Sequence, residues 1–127
     1  MSPPALNWVL LYVADTRRSA DFYKRLLGCA PVAEPASGKD FTMFSLPGGW
    51  TLGLWNRNEV EPRATLPGGA ELSFTEATGE IVRERFAEWR AAGIRMLQPV
   101  TETDFGITFT AADPDGHRLR VFSPPAA

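Results

Sequence analysis

Apolar and polar residues alternate in a pattern that predicts the first half of a domain. Trp8–Val13 is an apolar run rich in strand-favouring residues. Asp15 and Thr16 follow as helix-capping residues, and apolar side chains then recur at helical spacing until Gly28, which predicts a short amphipathic helix. Three further strands are predicted, at Pro31–Pro35, Phe41–Leu46 and Trp50–Asn56. The predicted order is therefore β-α-β-β-β.

The second half repeats this order. Ala70–Thr75 alternates as a strand does, and Glu80–Ala92 carries an apolar helical stripe that ends at Gly93. The remaining predicted strands are Ile94–Thr101, Ile107–Ala112 and Leu119–Ser123. The polar segment Arg57–Gly69 shows no periodicity and is interpreted as a connector. We thus predict one domain built from module 7–56, connector 57–69 and module 70–123.

The two modules also resemble each other residue by residue. When Gly49 is placed on Gly116, about 67 residues later, Gly53 falls on Arg120 and Trp55 falls on Phe122. A β-α-β-β-β module leaves one sheet face uncovered, which a second module can cover. We therefore predict an α+β fold in which two modules form curved mixed sheets around a cup.

Composition excludes several classes of function. The 127 residues, 44% of them hydrophobic, suffice for one globular core. The net charge of −2 comes from scattered residues, which argues against a nucleic-acid partner, and no apolar stretch approaches the roughly 18 residues that a membrane span needs. The single Cys29 cannot form an internal disulfide and has no neighbouring histidine, so we interpret it as structural. With no signal peptide recognised, a cytoplasmic location is expected.

The polar residues do not form a recognisable catalytic arrangement. The only histidine, His117, follows Asp113-Pro114-Asp115-Gly116, which is typical of a tight turn. An ordering role in this turn is favoured over a role as general base, because no nucleophile stands beside it in the sequence. The sequence contains no glycine-rich phosphate loop or dinucleotide fingerprint.

Aromatic residues are concentrated on the predicted strands and strand edges. They are Phe41, Phe44, Trp50, Trp55, Phe105 and Phe109. Such rings offer flat surfaces on which a planar ligand can stack, although strand aromatics commonly fill a core instead. Gly53, in the middle of a strand beside Trp55, removes a side chain and predicts space for a ligand.

Several motifs together resemble the vicinal-oxygen-chelate superfamily of glyoxalases, ring-cleaving dioxygenases and bleomycin-type resistance proteins. They are Leu11–Asp15, Ser19–Tyr23, Leu27-Gly28 and Asp113–His117, within two β-α-β-β-β units. The metal-dependent enzymes of this superfamily hold their ion at four strand positions, which the resemblance places at Trp8, Gly53, Glu71 and Arg120. Of these, only Glu71 can ligate a metal ion. The resemblance therefore implies that the metal set is missing and that no cofactor is bound.

Within the superfamily, the chain is most similar to the phenazine-antibiotic resistance type. The similarity includes Trp55, Thr103–Gly106, Thr108-Phe109 and Arg120. It implies a homodimer, with possible exchange of strands between chains, that binds a planar aromatic molecule without metal and without chemistry. The implied ligand-binding residues are Trp8, Phe44, Trp50, Gly53, Trp55, Glu71, Phe105, Phe109 and Arg120.

The role of Arg120 and the function of the protein both stay open at this point. Arg120 either binds a polar group of the ligand or forms an ion pair with Glu71, and the two are compatible. The alternative function is a metal-dependent glyoxalase-like lyase or dioxygenase with Glu71 as one ligand. A third possibility is an interaction module whose cup is filled by side chains.

Overall fold

The structure is a computed structural model that describes residues 2–32 and 41–125. The chain divides into two compact units, Met1–Thr65 and Leu66–Ala127. Both units combine one α-helix with a mixed sheet, which confirms the predicted α+β class. Neither helix in the described ranges is long and apolar enough to cross a membrane.

The first unit contains one helix and a three-stranded sheet. Its elements are β1 (Trp8–Val13), α1 (Thr16–Leu27), β2 (Phe41–Leu46) and β3 (Trp50–Asn56). The sheet order is β1-β3-β2, with β1 parallel and β2 antiparallel to β3. A short 3-10 turn at Pro47–Gly49 joins the predicted strands β2 and β3 into an antiparallel hairpin. A second 3-10 turn, Arg57–Glu59, follows β3.

Helix α1 begins and ends where the sequence predicts. The carboxylate of Asp15 accepts a hydrogen bond from the backbone N–H of Arg18 at 3.0 Å, and Gly28 ends the helix at a φ of 72°. Ala20 and Tyr23 are buried in the described structure, whereas the basic residues of the helix are exposed. The amphipathic pattern therefore corresponds to a real division between core and solvent.

The second unit contains one helix and a four-stranded sheet. Its elements are β4 (Glu71–Thr75), α2 (Gly79–Ala91), β5 (Arg95–Thr103), β6 (Gly106–Ala112) and β7 (Arg118–Ser123). The sheet order is β4-β7-β6-β5, with β4 parallel and β6 antiparallel to β7. In each unit, the first strand thus pairs in parallel with the last, which confirms the repeat that the sequence shows.

Each unit buries a core of its own that includes side chains of its helix. In the second unit, the ring of Phe109 packs nearly perpendicular to those of Phe86 and Trp89 on α2, at centroid distances of 5.3 and 5.4 Å. In the first unit, Leu54 and Phe44 are fully buried. Because successive side chains of a strand point to opposite faces, the residues next to these in sequence form the other face of each sheet.

The predicted strand at Pro31–Pro35 is only partly within the described structure. Pro31 and Val32 are not in a strand, and residues 33–35 lie outside the described residues. The N–H of Val32 nevertheless donates to the carbonyl of Met43 at 2.8 Å. This bond uses the edge of β2 that does not face β3.

The turn before β7 is held by Asp113. Its carboxylate accepts hydrogen bonds from the backbone N–H groups of Asp115 and His117, each at 2.9 Å. The residue itself is buried, with 4% of its surface exposed. The tight turn predicted at this motif is confirmed. Cys29, after α1, is exposed.

The turn between β5 and β6 depends on Gly106, which has a φ of 126°. A Cβ atom at this position would overlap the carbonyl oxygen of Ser123 on β7. We expect Gly106→Ala to lower the free energy of unfolding by about 2–4 kcal/mol, because backbone strain and a backbone clash add together. Urea denaturation measures the change.

Gly116→Ala is the matched control for this substitution. Gly116 also has a positive φ, 93°, but a Cβ there would meet nothing within 4 Å. It should cost only about 1 kcal/mol, from the backbone conformation alone. Equal losses in the two variants would contradict the close contact between β6 and β7.

Candidate ligand-binding site

The first unit presents a largely apolar sheet face on the side opposite its buried core. The pairing register places three rows of side chains there: Phe41–Trp55–Tyr12, Met43–Gly53–Leu10 and Ser45–Thr51–Trp8. We call this surface the aromatic face. The three strands contain no charged residue, and the hydroxyl side chains of the face lie at Ser45, Thr51 and Tyr12, so a molecule bound at its middle meets mainly rings and aliphatic groups.

A hollow lies on the aromatic face. Its volume is about 390 Å³, and Trp8, Leu10, Phe41 and Trp55 line it. The indole of Trp55 meets the ring of Phe41 edge-on at 6.3 Å and the ring of Tyr12 at 6.4 Å. Pockets of this size and lining are typical of sites for small apolar ligands.

Gly53 shapes the hollow in a way that the sequence alone did not predict. A Cβ atom on Gly53 would lie 2.6 Å from Cδ2 of Leu10 and 3.1 Å from Cζ of Phe41. The room left by the missing side chain is therefore occupied by these two residues, whereas the sequence suggested open space. Gly53 lets Leu10 and Phe41 lie flat across the middle strand.

The second unit presents a polar face, again opposite its helix. Its rows are Arg95–Ala112–Arg118–Glu71, Gln98–Thr110–Arg120–Ser73 and Thr101–Thr108–Phe122–Thr75. We call this surface the arginine face. The two faces occupy the same place in the topology of their units but differ in chemistry.

Arg120 is the centre of a hydrogen-bond network on the arginine face. Its Nε donates to Glu71 Oε1 at 2.7 Å, and its Nη1 donates to Thr108 Oγ1 at 3.1 Å and to Gln98 Oε1 at 3.3 Å. These acceptors lie on β4, β6 and β5, so the side chain of Arg120 on β7 is hydrogen-bonded to every other strand of the sheet. The ion pair considered from the sequence is thus present, with side-chain exposures of 20% for Arg120 and 31% for Glu71.

A second layer of contacts fixes the acceptors of Arg120. The hydroxyl of Thr110 donates to Gln98 Oε1 at 3.1 Å, and the hydroxyl of Thr108 donates to the carbonyl of Val121 at 3.0 Å. Gln98 therefore presents its oxygen, not its amide nitrogen, to the guanidinium. The arginine is held in one orientation by partners whose own orientation is set.

The four strand positions implied for a metal ion do not fit one. Trp8 and Gly53 offer no ligand atom, Arg120 is a cation, and the carboxylate of Glu71 is bound to that cation. Within residues 2–32 and 41–125, no three His, Cys, Asp or Glu side chains are grouped closely enough to hold a metal ion.

The structure separates the aromatic residues that the sequence proposed as ligand-binding. Trp8 and Trp55 meet at the hollow. Phe105 is 51% exposed, and its ring contacts Phe122 on the arginine face at 6.4 Å. Phe44 and Phe109 are fully buried in the two cores.

Trp50 also stands apart from the hollow. It is five residues from Trp55 on β3, so its side chain projects from the opposite face of the sheet.

Sequence reasoning missed Leu10 on the aromatic face and Gln98 on the arginine face. Strand alternation could have found Leu10, because it is two residues from Trp8; nothing in the local sequence marks Gln98.

Comparisons with known proteins agree with this architecture. Residues 5–121 match the family model of the glyoxalase/bleomycin resistance protein/dioxygenase superfamily. The chain is 34% identical over 119 residues to the phenazine antibiotic resistance protein EhpR of Enterobacter agglomerans, which covers 91% of this chain and 88% of that protein.

Solved structures extend the likeness to the fold. Protein ATC0852 from Agrobacterium tumefaciens is 45% identical, with a TM-score of 0.85 over 99% of this chain and 100% of that one. A glyoxalase-related enzyme from Fulvimarina pelagi is 24% identical and has a TM-score of 0.80 over 95% of this chain and 88% of that one. The chain therefore belongs to the glyoxalase/bleomycin resistance protein/dioxygenase superfamily.

Proposed function

We propose that this protein binds a planar aromatic molecule, of the kind represented by phenazine antibiotics, and sequesters it without chemical change. The observation that carries the proposal is the hollow lined by Trp8, Leu10, Phe41 and Trp55. The relationship to EhpR, a phenazine antibiotic resistance protein, supports the choice of ligand class. Resistance by sequestration requires affinity alone.

The lining can supply that affinity. Ring contacts contribute about 0.5–1.5 kcal/mol per aromatic pair beyond burial of area. Burying roughly 200 Å² of apolar ring surface adds about 5 kcal/mol at 25 cal/mol per Å². Micromolar binding corresponds to about −8 kcal/mol, and the cost of immobilising a rigid ring system is small compared with that of a flexible ligand.

Exposed apolar residues also support the proposal that the working form is a homodimer. Trp8 is 46%, Leu10 43% and Phe41 38% exposed in the single chain. A contiguous apolar patch of this kind is typical of a binding surface. Light scattering should give twice the mass of the 14.0 kDa chain, and a monomer at micromolar concentration would contradict the dimer.

The ion pair between Arg120 and Glu71 on the arginine face supports binding over metal-dependent catalysis. Arg120 Nε donates to Glu71 Oε1 at 2.7 Å, and the guanidinium beside this carboxylate disfavours a metal cation there by charge repulsion. Phenazine-1-carboxylic acid recovered unchanged after incubation, with or without chelator, agrees with sequestration. Stoichiometric metal in the purified protein together with chelator-sensitive conversion of a substrate would identify a lyase or dioxygenase instead.

Trp55 should carry much of the stacking energy. We expect Trp55→Ala to weaken binding of phenazine about 10- to 100-fold, because an aromatic wall of the hollow is lost. Trp55→Phe, which keeps a ring, should lose less. Isothermal titration calorimetry with phenazine measures both, and a melting curve for each variant confirms that it is folded.

Trp50→Ala is the matched control for Trp55→Ala. It also removes an indole from β3, an exposed one, but from the opposite face of the sheet to the half-buried Trp55. We expect its affinity for phenazine to stay within about twofold of the parent. The aromatic face would be the wrong site if Trp50→Ala weakened binding as much as Trp55→Ala, or if the parent bound no phenazine.

Gly53→Ala tests the shape of the hollow. The added methyl group must displace Leu10 and the ring of Phe41, both of which line the hollow. We expect about tenfold weaker phenazine binding and a loss of about 1–3 kcal/mol in the free energy of unfolding. Thr51→Ala, on the same strand face but outside the lining, should leave the affinity unchanged.

A further inference from the structure

Trp55 lies between two other rings on the aromatic face of the first unit. The pairing register places Tyr12 of β1 beside it on one side and Phe41 of β2 on the other. The ring centroids of Tyr12 and Trp55 are 6.4 Å apart at an interplanar angle of 75°. Those of Phe41 and Trp55 are 6.3 Å apart at 86°. Both contacts have the edge-on geometry that aromatic pairs favour, so a ring from each neighbouring strand bounds the indole.

The position of Phe41 depends on Gly53. A Cβ atom on Gly53 would lie 3.1 Å from Cζ and 3.2 Å from Cε2 of Phe41, so the end of this ring extends over the bare backbone of β3. Phe41 also lines the hollow, as Trp55 does. It therefore combines contact with a bound ligand and contact with Trp55, and a substitution of Phe41 cannot separate the two.

Tyr12 contacts Trp55 from outside the hollow. It is not among the described residues that line this hollow. Its neighbours in sequence, Leu11 and Val13, are 8% and 0% exposed. Because side chains alternate along a strand, burial of these two residues directs Tyr12 to the aromatic face. The core of the first unit thus sets the direction of Tyr12 without any contribution from a ligand.

Restricting the indole before binding raises the affinity of the hollow. A side chain that is free to change rotamer loses this freedom when a ligand stacks on it, which weakens binding by about 2- to 10-fold. Trp55 is half-buried, and its ring already contacts those of Tyr12 and Phe41 in the chain without ligand. The wall of the hollow is therefore oriented in advance.

We infer that Tyr12 is a positioning residue for Trp55, which holds the indole in the orientation that a flat aromatic ligand requires and does not contact the ligand itself. The contact joins two rings, so the ring of Tyr12 carries this role, and its hydroxyl group is not required. The inference rests on the proposed function, because it concerns affinity at the hollow.

Calorimetric titration of the full chain with phenazine tests this role. We expect Tyr12→Leu to weaken binding about 3- to 10-fold, and Tyr12→Phe, which keeps the ring, to stay within about twofold of the parent. Tyr12→Val, which also lacks a ring and suits a strand, replaces Tyr12→Leu if that variant does not fold.

Leu97→Ala is the matched control for the loss of an exposed apolar side chain. Leu97 is 40% exposed, close to the 36% of Tyr12, but it lies on β5 of the second unit. Its substitution should leave the affinity for phenazine unchanged.

A double substitution shows whether Tyr12 acts through Trp55. In a Trp55→Ala background the indole is absent, so adding Tyr12→Leu should change the affinity by less than about 1.5-fold. An equal loss in the parent and in this background would mean that Tyr12 does not act through Trp55, and the inference would be wrong.

The orientation of the indole can also be followed without a ligand. Labelling with 5-fluorotryptophan gives one fluorine NMR signal for each of the four tryptophans, and Trp55→Phe and Trp50→Ala identify two of them. We expect Tyr12→Leu to change the position and linewidth of the Trp55 signal. The signal of Trp50, on the opposite face of the sheet, should not change.

The outcomes separate this inference from the proposed function. If Tyr12→Leu binds phenazine as the parent does, or leaves the Trp55 signal unchanged, Tyr12 does not position the indole, and the binding function stands. The same conclusion follows if Tyr12→Phe loses as much affinity as Tyr12→Leu. If the parent binds no phenazine, the proposed function fails and this inference fails with it.

Discussion

Parallel pairing between the first and last strands of each unit determines which side chains can form a site. In the first unit it places Leu10 beside Gly53, and in the second it places Ser73 beside Arg120. The strands so joined are far apart in sequence: among the described residues, a helix and one strand lie between them in the first unit, and a helix and two strands in the second. Because side chains alternate across a strand, a shift of one residue in either pairing would turn the aromatic or arginine face toward the core. The register is therefore fixed by the burial of residues such as Leu11 and Leu119, rather than by the site itself.

The two units show how one topology carries two different surfaces. Position 53 is a glycine under two apolar side chains, and its counterpart 120 is an arginine bonded to the other three strands of its sheet. The apolar surface needs shape, which Gly53 provides by allowing close approach. The charged surface needs partners for a half-buried guanidinium, and these are supplied from separate strands at 2.7–3.3 Å. The repeated topology therefore leaves the exposed faces free to differ while each unit keeps an apolar core.

The elements were predictable from sequence because each is marked locally. Asp15, Gly28 and the turn at Asp113 carry their own signals, and all are confirmed. The site was predictable only in part. Composition grouped Phe41 with Phe44, although the odd spacing of the two along β2 sends them to opposite sides of the sheet. Gln98 could not be identified, because its role depends on the pairing of β5 with β6 and on a register shift next to it.

A guanidinium at the centre of a sheet face limits the chemistry available there. It donates directional hydrogen bonds and stays charged at every physiological pH, but it has no empty orbital with which to accept an electron pair. A metal ion at this place would polarise a bound oxygen, whereas Arg120 can only recognise one. Its bond to Glu71 also occupies one oxygen of the one carboxylate in the rows of the arginine face. The residues at this position can therefore hold a polar group by charge and hydrogen bonding, which is the kind of contact that the proposed binding function needs.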